Sequence, residues 1–99
     1  MSDLTIFSAP KPFTNPHIAL IQRNAIRSWL SLGPQVEVIL LGNEPGLAET
    51  AAELGVKHIP HVACTPGGTP LVSSMFELAR QNSTSPQLAC VNADILLLP

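Results

Sequence analysis

The feature of this sequence that most constrains its fold is the alternation of short apolar runs with longer segments of helical period. The apolar runs are rich in aliphatic and β-branched side chains, as strands are, and proline or glycine separates them from the helical segments. Because strands joined by helix-sized crossovers pair in parallel, the pattern predicts a βαβαβαβ unit. The predicted strands are Leu4 to Ser8, Val36 to Leu41, Val56 to Ile59 and Leu88 to Val91.

The first predicted helix has the clearest boundary signals. Asn15 is a good capping residue, and Pro16 suits the first helical position. Gly33 is predicted to end this helix, because glycine readily adopts the left-handed conformation found there. Apolar residues three and four positions apart are predicted to face the core. They are Ile18, Ile21, Ala25, Trp29 and Leu32.

Two further helices are predicted from similar signals. The second spans Gly46 to Leu54 and ends at Gly55. The third begins at Thr69 and Pro70, which repeat the pattern of a cap followed by proline, and the polar segment 82–86 ends it. The inner face of the third helix is predicted to consist of Leu71, Val72, Met75, Phe76, Leu78 and Ala79.

The composition agrees with strands that are buried on both faces of a sheet. Hydrophobic residues make up 45% of the chain and charged residues 12%. A length of 99 residues allows one domain, spanning residues 1–99. Right-handed crossovers place helices on both faces of such a sheet. We therefore predict an α/β fold with an open, mostly parallel, doubly wound (Rossmann-like) sheet of about four strands and three helices, in the order 3-2-1-4.

The charges, cysteines and chain ends bear on partners and location. A net charge of -2 with five scattered basic residues argues against nucleic acid as a partner. Cys64 and Cys90 belong to no C-x-x-C pair and are predicted to be reduced and partly buried. The chain starts without a basic signal region and has no transmembrane segment of roughly 20 apolar residues, so a cytoplasmic location is predicted. The apolar run from Ile95 to Leu98 leads us to expect a truncated protein.

The predicted functional site follows the fourth strand. Ligands of open α/β sheets bind beyond the carboxyl ends of the strands, yet neither G-x-G-x-x-G nor the P-loop pattern occurs in this sequence. The fourth strand leads instead into Asn92-Ala93-Asp94, whose two polar side chains can face the same side of an extended backbone. Carboxylate and amide oxygens suit a hard divalent ion that also takes phosphate oxygens. The motif therefore predicts that this pair holds a hard divalent ion through which a nucleoside diphosphate binds.

This motif, with apolar residues before and after it, resembles the D-x-D region of GT-A nucleotide-diphospho-sugar transferases, and segment 68–76 resembles their glycine-opened third helix. The resemblance covers the N-terminal half of that fold and implies transfer of a sugar from a nucleoside-diphosphate sugar to an acceptor. It implies that Asp94 binds the metal, which we predict to be Mg²⁺ or Mn²⁺. It also implies that Asn92, which replaces the usual aspartate, contacts ribose or sugar. The other nucleotide-sugar contacts that we predict are Ala9, Pro10, Lys11, Glu44, Gly68, Thr69 and Ala93.

Several of these residues also have a simpler structural interpretation. Asp94 is also suited to cap the turn after a strand. Glu44 and Lys11 are typical of solvated loops, and Gly67 and Gly68 are typical of a tight turn. The acceptor site and the general base are expected in a carboxyl-terminal portion beyond this chain, so the chain alone is expected to be inactive and no base is assigned.

Three other functional interpretations each match part of the sequence. A noncatalytic flavodoxin-like or receiver-like module is the alternative, although a receiver needs an acidic pair where this chain has Ser8-Ala9-Pro10. A hydrolase of the haloacid dehalogenase type needs a nucleophilic aspartate, and Asn92 cannot serve as one. His58, His61 and Cys64 have a spacing that suggests zinc, but a closed structural site needs four ligands and the other cysteine is distant.

Overall fold

In the computed structural model, which describes residues 3–97, four strands form one parallel sheet that three helices cover. The elements in chain order are β1 (Leu4–Ser8), α1 (Pro16–Leu30), β2 (Val36–Leu41), α2 (Leu47–Leu54), β3 (Lys57–Ile59), α3 (Val72–Gln81) and β4 (Gln87–Cys90). The strand order is β3-β2-β1-β4, and every neighbouring pair is parallel. The predicted fold class, strand number and strand order are therefore confirmed. Within the described range, none of the helices is long and apolar enough to cross a membrane.

β1 lies between β2 and β4, and its register with both shows which ends of the strands lie together. Its last residue, Ser8, is in register with Leu40 of β2, and Phe7 is in register with Cys90 of β4. Because the strands are parallel, the residues that follow β1, β2, β3 and β4 all gather at one edge, which we call the carboxyl edge. The residues that precede the four strands, together with the first two residues of each strand, form the opposite, amino edge.

Helices lie on both faces of the sheet, as predicted for a doubly wound fold. One face carries α1 and α2, and α3 covers the other. The first core comprises Ile6, Ala25, Ile26, Trp29, Val38, Leu40, Leu47, Ala51 and Ala93. The second core comprises Phe7, Ile39, Leu41, Met75 and Ala79. The connection that leaves β1 runs through α1 on one face, and the connection that enters β4 runs through α3 on the other. This divergence opens a crevice between β1 and β4 at the carboxyl edge.

The start of α1 agrees with its sequence signals, but its end does not. The Asn15 side chain accepts hydrogen bonds from the backbone N–H groups of His17 and Ile18, at 2.9 and 3.2 Å. The helix ends at Leu30, three residues before the predicted stop. The prediction that Gly33 ends the helix was wrong, because this glycine, with a φ of +128°, lies in the turn that leads into β2.

The buried face of α1 differs by one position from the predicted stripe. Its buried residues are Gln22, Ala25, Ile26 and Trp29, so the prediction that Trp29 lies in the core is confirmed. Ile21, predicted to face the core, is exposed. A glutamine therefore occupies a core-facing position of this helix, and the isoleucine before it is free to contact something else.

The start of α3 is also different from the prediction. Thr69 and Pro70 do not begin the helix, which starts at Val72. These residues instead pair with the preceding part of the same loop. Thr65 N donates to Thr69 O at 2.8 Å, and Leu71 N donates to Ala63 O at 2.8 Å. A capping signal in the sequence therefore lost to backbone pairing across the loop.

The inner face of α3 is only partly as predicted. Met75 and Ala79 are buried against the sheet, whereas Val72 and Phe76 are exposed. The exposed Phe76 ring still contacts Phe7 edge-on, with ring centroids 4.7 Å apart. This helix consequently leaves apolar side chains on the surface near β4.

A group of buried hydroxyls holds the amino edge together. Thr5 Oγ1 donates to Ser85 Oγ at 2.7 Å and also hydrogen-bonds with Ser83 Oγ. Ser85 N donates to Ser83 Oγ, and Arg80 donates to Ser85 O. Because Thr5 has 0% of its surface exposed, these bonds satisfy groups that water cannot reach. The segment that ends α3 is therefore a buried part of the fold in addition to a helix terminator.

Candidate functional site

A cleft of about 500 Å³ lies at the carboxyl edge, at the crevice between β1 and β4. Ser8, Ala9 and Lys11 line it from the end of β1, and residues 90–94 line it from the end of β4. Apolar side chains of the two helices that cover opposite faces of the sheet form its walls. They are Ile18 and Ile21 of α1, and Val72 and Met75 of α3. The exposed isoleucine of α1 therefore contributes to this cleft.

Of the nine predicted site residues, five line this cleft. They are Ala9, Lys11, Asn92, Ala93 and Asp94. Pro10 is buried beside them without lining the cleft. Glu44, Gly68 and Thr69 are exposed and lie outside it. The structure thus brings together the residues predicted at the ends of β1 and β4, and it leaves out those of the other two loops.

The Asn92–Asp94 motif forms a tight turn directly after β4. Ile95 N donates to Asn92 O at 3.2 Å, which closes the turn, and Asp94 is exposed. Among residues 3–97 the Asp94 carboxylate has no hydrogen-bond or ion-pair partner, so its side chain does not cap this turn. Its oxygens remain available to a ligand.

The chain beyond this turn is anchored on α1. The indole N–H of Trp29 donates to Ile95 O at 2.9 Å, and Leu97 N donates to Ser28 Oγ at 3.0 Å. Trp29 is itself completely buried in the core. The direction in which the chain leaves Asp94 is therefore fixed by a rigid helix.

The loop after β1 is held by a buried glutamine that was not predicted as a site residue. Gln22 Oε1 accepts from Lys11 N at 2.7 Å, and Gln22 Nε2 donates to Lys11 O at 3.0 Å. Gln22 is 3% exposed and also lines the cleft. These two hydrogen bonds fix the Lys11 backbone at the rim. A glutamine between core-facing positions of a helical stripe was the available signal in the sequence.

Ser8 is the second site residue that was missed. It is 1% exposed and lines the cleft, yet its hydroxyl has no hydrogen-bond partner among residues 3–97. Nearly all buried polar groups in proteins are hydrogen-bonded, so this exception is informative. A hydroxyl at the last position of an otherwise apolar strand was the signal that the sequence offered.

Both cysteines are free thiols and are exposed, so the prediction that they are partly buried was wrong. Cys90 lines the cleft, whereas Cys64 lies in the loop before α3 and outside the cleft. Although Cys90 is in contact with solvent, desolvation by its neighbours raises the pKa of its thiol. The two cysteines therefore form a natural pair of probes, one inside the cleft and one outside it.

The described residues provide no ready-made metal cage. Nowhere in the range 3–97 do three or more His, Cys, Asp or Glu side chains gather as metal ligands. One ring nitrogen of His58, Nε2, lies 2.7 Å from Gly42 O in a hydrogen bond and is already used. Any metal at the cleft would have to be held by Asp94 together with oxygens of a ligand.

A second cleft, of about 680 Å³, lies beside the first residues of β2 and β3. Its charged residues, Glu37 and Lys57, form an ion pair with 3.4 Å between Lys57 Nζ and Glu37 Oε2. Despite its larger volume, this cleft lies at the amino edge, away from the strand ends where ligands of this fold class bind.

Comparisons of this chain with protein-family models, with curated proteins and with solved structures found no match.

Proposed function

We propose that the carboxyl-edge cleft binds a nucleoside-diphosphate sugar, and that the chain is the nucleotide-sugar-binding part of a GT-A-type glycosyltransferase. The observation that carries the proposal is the position of the Asp94 carboxylate. It lines a cleft at the point where crossovers diverge, which is the usual ligand site of open α/β sheets, and it has no described partner of its own.

The chemistry of the lining suits such a ligand. Apolar side chains of α1 and α3 line the cleft and suit the base of a nucleotide, and Lys11, which also lines it, supplies a positive charge for a diphosphate. The Lys11 backbone is fixed by Gln22, so part of the rim is already ordered before a ligand arrives. The opposite charges of Lys11 and Asp94 favour a ligand that carries phosphates together with a cation.

A metal ion fits this site only as a companion of the ligand. Mg²⁺ is commonly held by one or two carboxylates and by substrate phosphates, with several waters retained. Asp94, with the Asn92 amide two residues before it in sequence, supplies that minimum. A bound Mg²⁺ or Mn²⁺ would stabilise negative charge on the diphosphate leaving group during transfer. We therefore expect metal binding to depend on the diphosphate. We assign no general base, and the proposal for this chain is limited to binding of the nucleotide sugar.

The topology argues against the flavodoxin-like alternative. Flavodoxin-like and receiver folds have the strand order 2-1-3-4-5, whereas β3 of this chain lies at the edge beyond β2. β1 also ends in Ser8-Ala9-Pro10, without the acidic pair of a receiver. A cytoplasmic location and the exclusion of nucleic acid as a partner remain predictions from composition.

Isothermal titration with UDP-, CDP- and GDP-sugars, with and without Mn²⁺, tests this function. We expect one of them to bind in the presence of Mn²⁺ and binding to weaken at least about tenfold in Asp94→Ala, since charged contacts with a ligand commonly contribute 1.5–3 kcal/mol or more. Glu49→Ala is the matched control, because Glu49 is an exposed acid on α2 outside the cleft.

The proposal would be contradicted if none of these nucleotides bound with Mn²⁺, or if Asp94→Ala and Glu49→Ala bound equally well. In the first case a noncatalytic α/β module would be the better description of the chain.

A further inference from the structure

Two buried hydroxyls on β1 differ in a way that points to a ligand contact. Thr5 and Ser8 are three residues apart on the same strand, at 0% and 1% exposure. Thr5 hydrogen-bonds with two serines. Ser8 Oγ has no partner within the described part of the chain. An unbonded buried hydroxyl destabilises a fold, so its presence at the end of a core strand calls for a compensating role.

The surroundings of Ser8 explain why the protein itself leaves this hydroxyl unbonded. Side chains alternate along a strand, so Ser8 faces the same side of the sheet as Ile6, toward α1. Leu40 is its neighbour in register on β2, and Val91 follows β4 on the other side. These neighbours are apolar, and the open side of Ser8 is the cleft that it lines.

We propose that Ser8 is a specificity-determining residue of the cleft, whose hydroxyl binds a ring-bearing ligand through a hydroxyl, carbonyl or N–H substituent on that ring. In this proposal the ring packs against Ile18 and Val72, and the Ser8 hydroxyl hydrogen-bonds with the polar substituent of the ring. The inference shares its location with the proposed function, but it concerns a ring contact that does not require a diphosphate or a metal.

The test uses two small probes that differ by one hydroxyl, benzene and phenol. Each is titrated into the 99-residue chain, and dissociation constants are read from amide chemical shifts of cleft residues such as Ala93. Ser8→Ala should weaken phenol binding about fivefold and leave benzene binding unchanged, since a net hydrogen bond is lost with phenol alone. Ser8→Thr keeps the hydroxyl and should retain the preference. Thr5→Val, which removes a bonded hydroxyl far from the cleft, should leave the affinity for both probes unchanged.

A thermal melt of the unliganded variants provides the second readout. Ser8→Ala should raise the melting temperature by a few degrees because it removes an unbonded buried group, whereas Thr5→Val should lower it. Equal phenol affinity in wild type and Ser8→Ala would overturn the inference, and so would a Ser8→Ala variant that loses benzene and phenol binding alike. If Ser8→Ala loses the preference for phenol over benzene, but the wild-type chain binds no nucleotide sugar, the role of Ser8 is supported and the glycosyltransferase proposal is contradicted.

Discussion

The amino edge and the carboxyl edge of the sheet differ in whether their polar side chains have hydrogen-bond partners within the protein. At the amino edge, Thr5, Ser83 and Ser85 are buried and hydrogen-bonded to one another. At the carboxyl edge, the Ser8 hydroxyl and the Asp94 carboxylate have no partners among the described residues. Buried polar groups that hydrogen-bond to one another contribute to stability, whereas a buried hydroxyl without a partner is unusual, and an exposed carboxylate such as that of Asp94 is free to bind a ligand. The contrast agrees with a role of the amino edge in folding and with our proposal that the carboxyl edge binds a ligand.

One residue at the amino edge partly departs from this contrast. Glu37 Oε1 is buried without a hydrogen-bond partner in the described chain. Its other oxygen is 3.4 Å from Lys57 Nζ, so the carboxylate as a whole is paired with a charge. Ser8 has no such second contact, and it is also the more deeply buried of the two.

The largest effect that we expect comes from breaking the hydroxyl cluster at the amino edge. Thr5→Val keeps the shape of the side chain and removes one hydrogen bond from each of two buried serine hydroxyls. We expect it to lower the free energy of unfolding by about 2–3 kcal/mol, measured by urea denaturation. Thr84→Val is the matched control, because Thr84 is exposed in the same loop. Equal stability of the two variants would mean that the amino edge does not depend on this cluster.

A smaller effect is expected where the carboxyl edge is held in place. Gln22→Ala removes both hydrogen bonds to the Lys11 backbone. We expect a loss of about 1–2 kcal/mol and faster hydrogen exchange at the Lys11 amide, followed by NMR. Gln81→Ala, at an exposed position of α3, is the control. Unchanged exchange at Lys11 would show that Gln22 does not order the rim.

The smallest effect concerns the surface that joins α1 and α2, away from both edges. A hydrogen bond and charge attraction from Arg23 lower the pKa of Glu53 below its ordinary value of 4.5. A lowered carboxyl pKa stabilises the fold above the ordinary value, and this contribution is lost as the pH falls through the folded pKa. The ion pair is solvent-exposed, so the stability involved is small.

Arg23→Met should therefore lose slightly less stability than the wild type between pH 5 and acidic pH, as measured by thermal melts across that range. Arg27→Met should change this dependence less, because Arg27 is the weakest of the influences on Glu53. If Arg23→Met and the wild type lost the same stability as the pH fell, the ion pair would make no contribution to the acid sensitivity of the fold.

The parts of the fold that could be predicted from sequence are those fixed by neighbours along the chain. Asn15 and Pro16 start α1, Gly55 ends α2 with a φ of +71°, and the aliphatic run of β2 forms a buried strand. The strand order also followed from chain-local rules, because helix-sized crossovers of one hand leave few arrangements.

The parts that could not be predicted depend on contacts between distant residues. Thr69 and Pro70 carry a good helix-start signal, but pairing of Cys64 with Pro70 draws them into a loop. For the candidate site, the residues at the ends of β1 and β4 could be grouped by the rule for parallel strands. Gln22 and Ser8 could not, because their significance depends on which backbone groups lie beside them in the folded protein.

Two free cysteines, Cys90 in the carboxyl-edge cleft and Cys64 outside it, report directly on whether a ligand occupies the cleft. Alkylation by iodoacetamide is followed at each cysteine by mass spectrometry, with and without UDP-, CDP- or GDP-sugars and Mn²⁺. We expect a bound nucleotide sugar to slow alkylation of Cys90, which lines the cleft, several-fold and to leave alkylation of Cys64 unchanged. If calorimetry shows that a nucleotide sugar binds, but iodoacetamide alkylates Cys90 at the same rate with and without it, the ligand does not occupy this cleft and the proposed site is wrong.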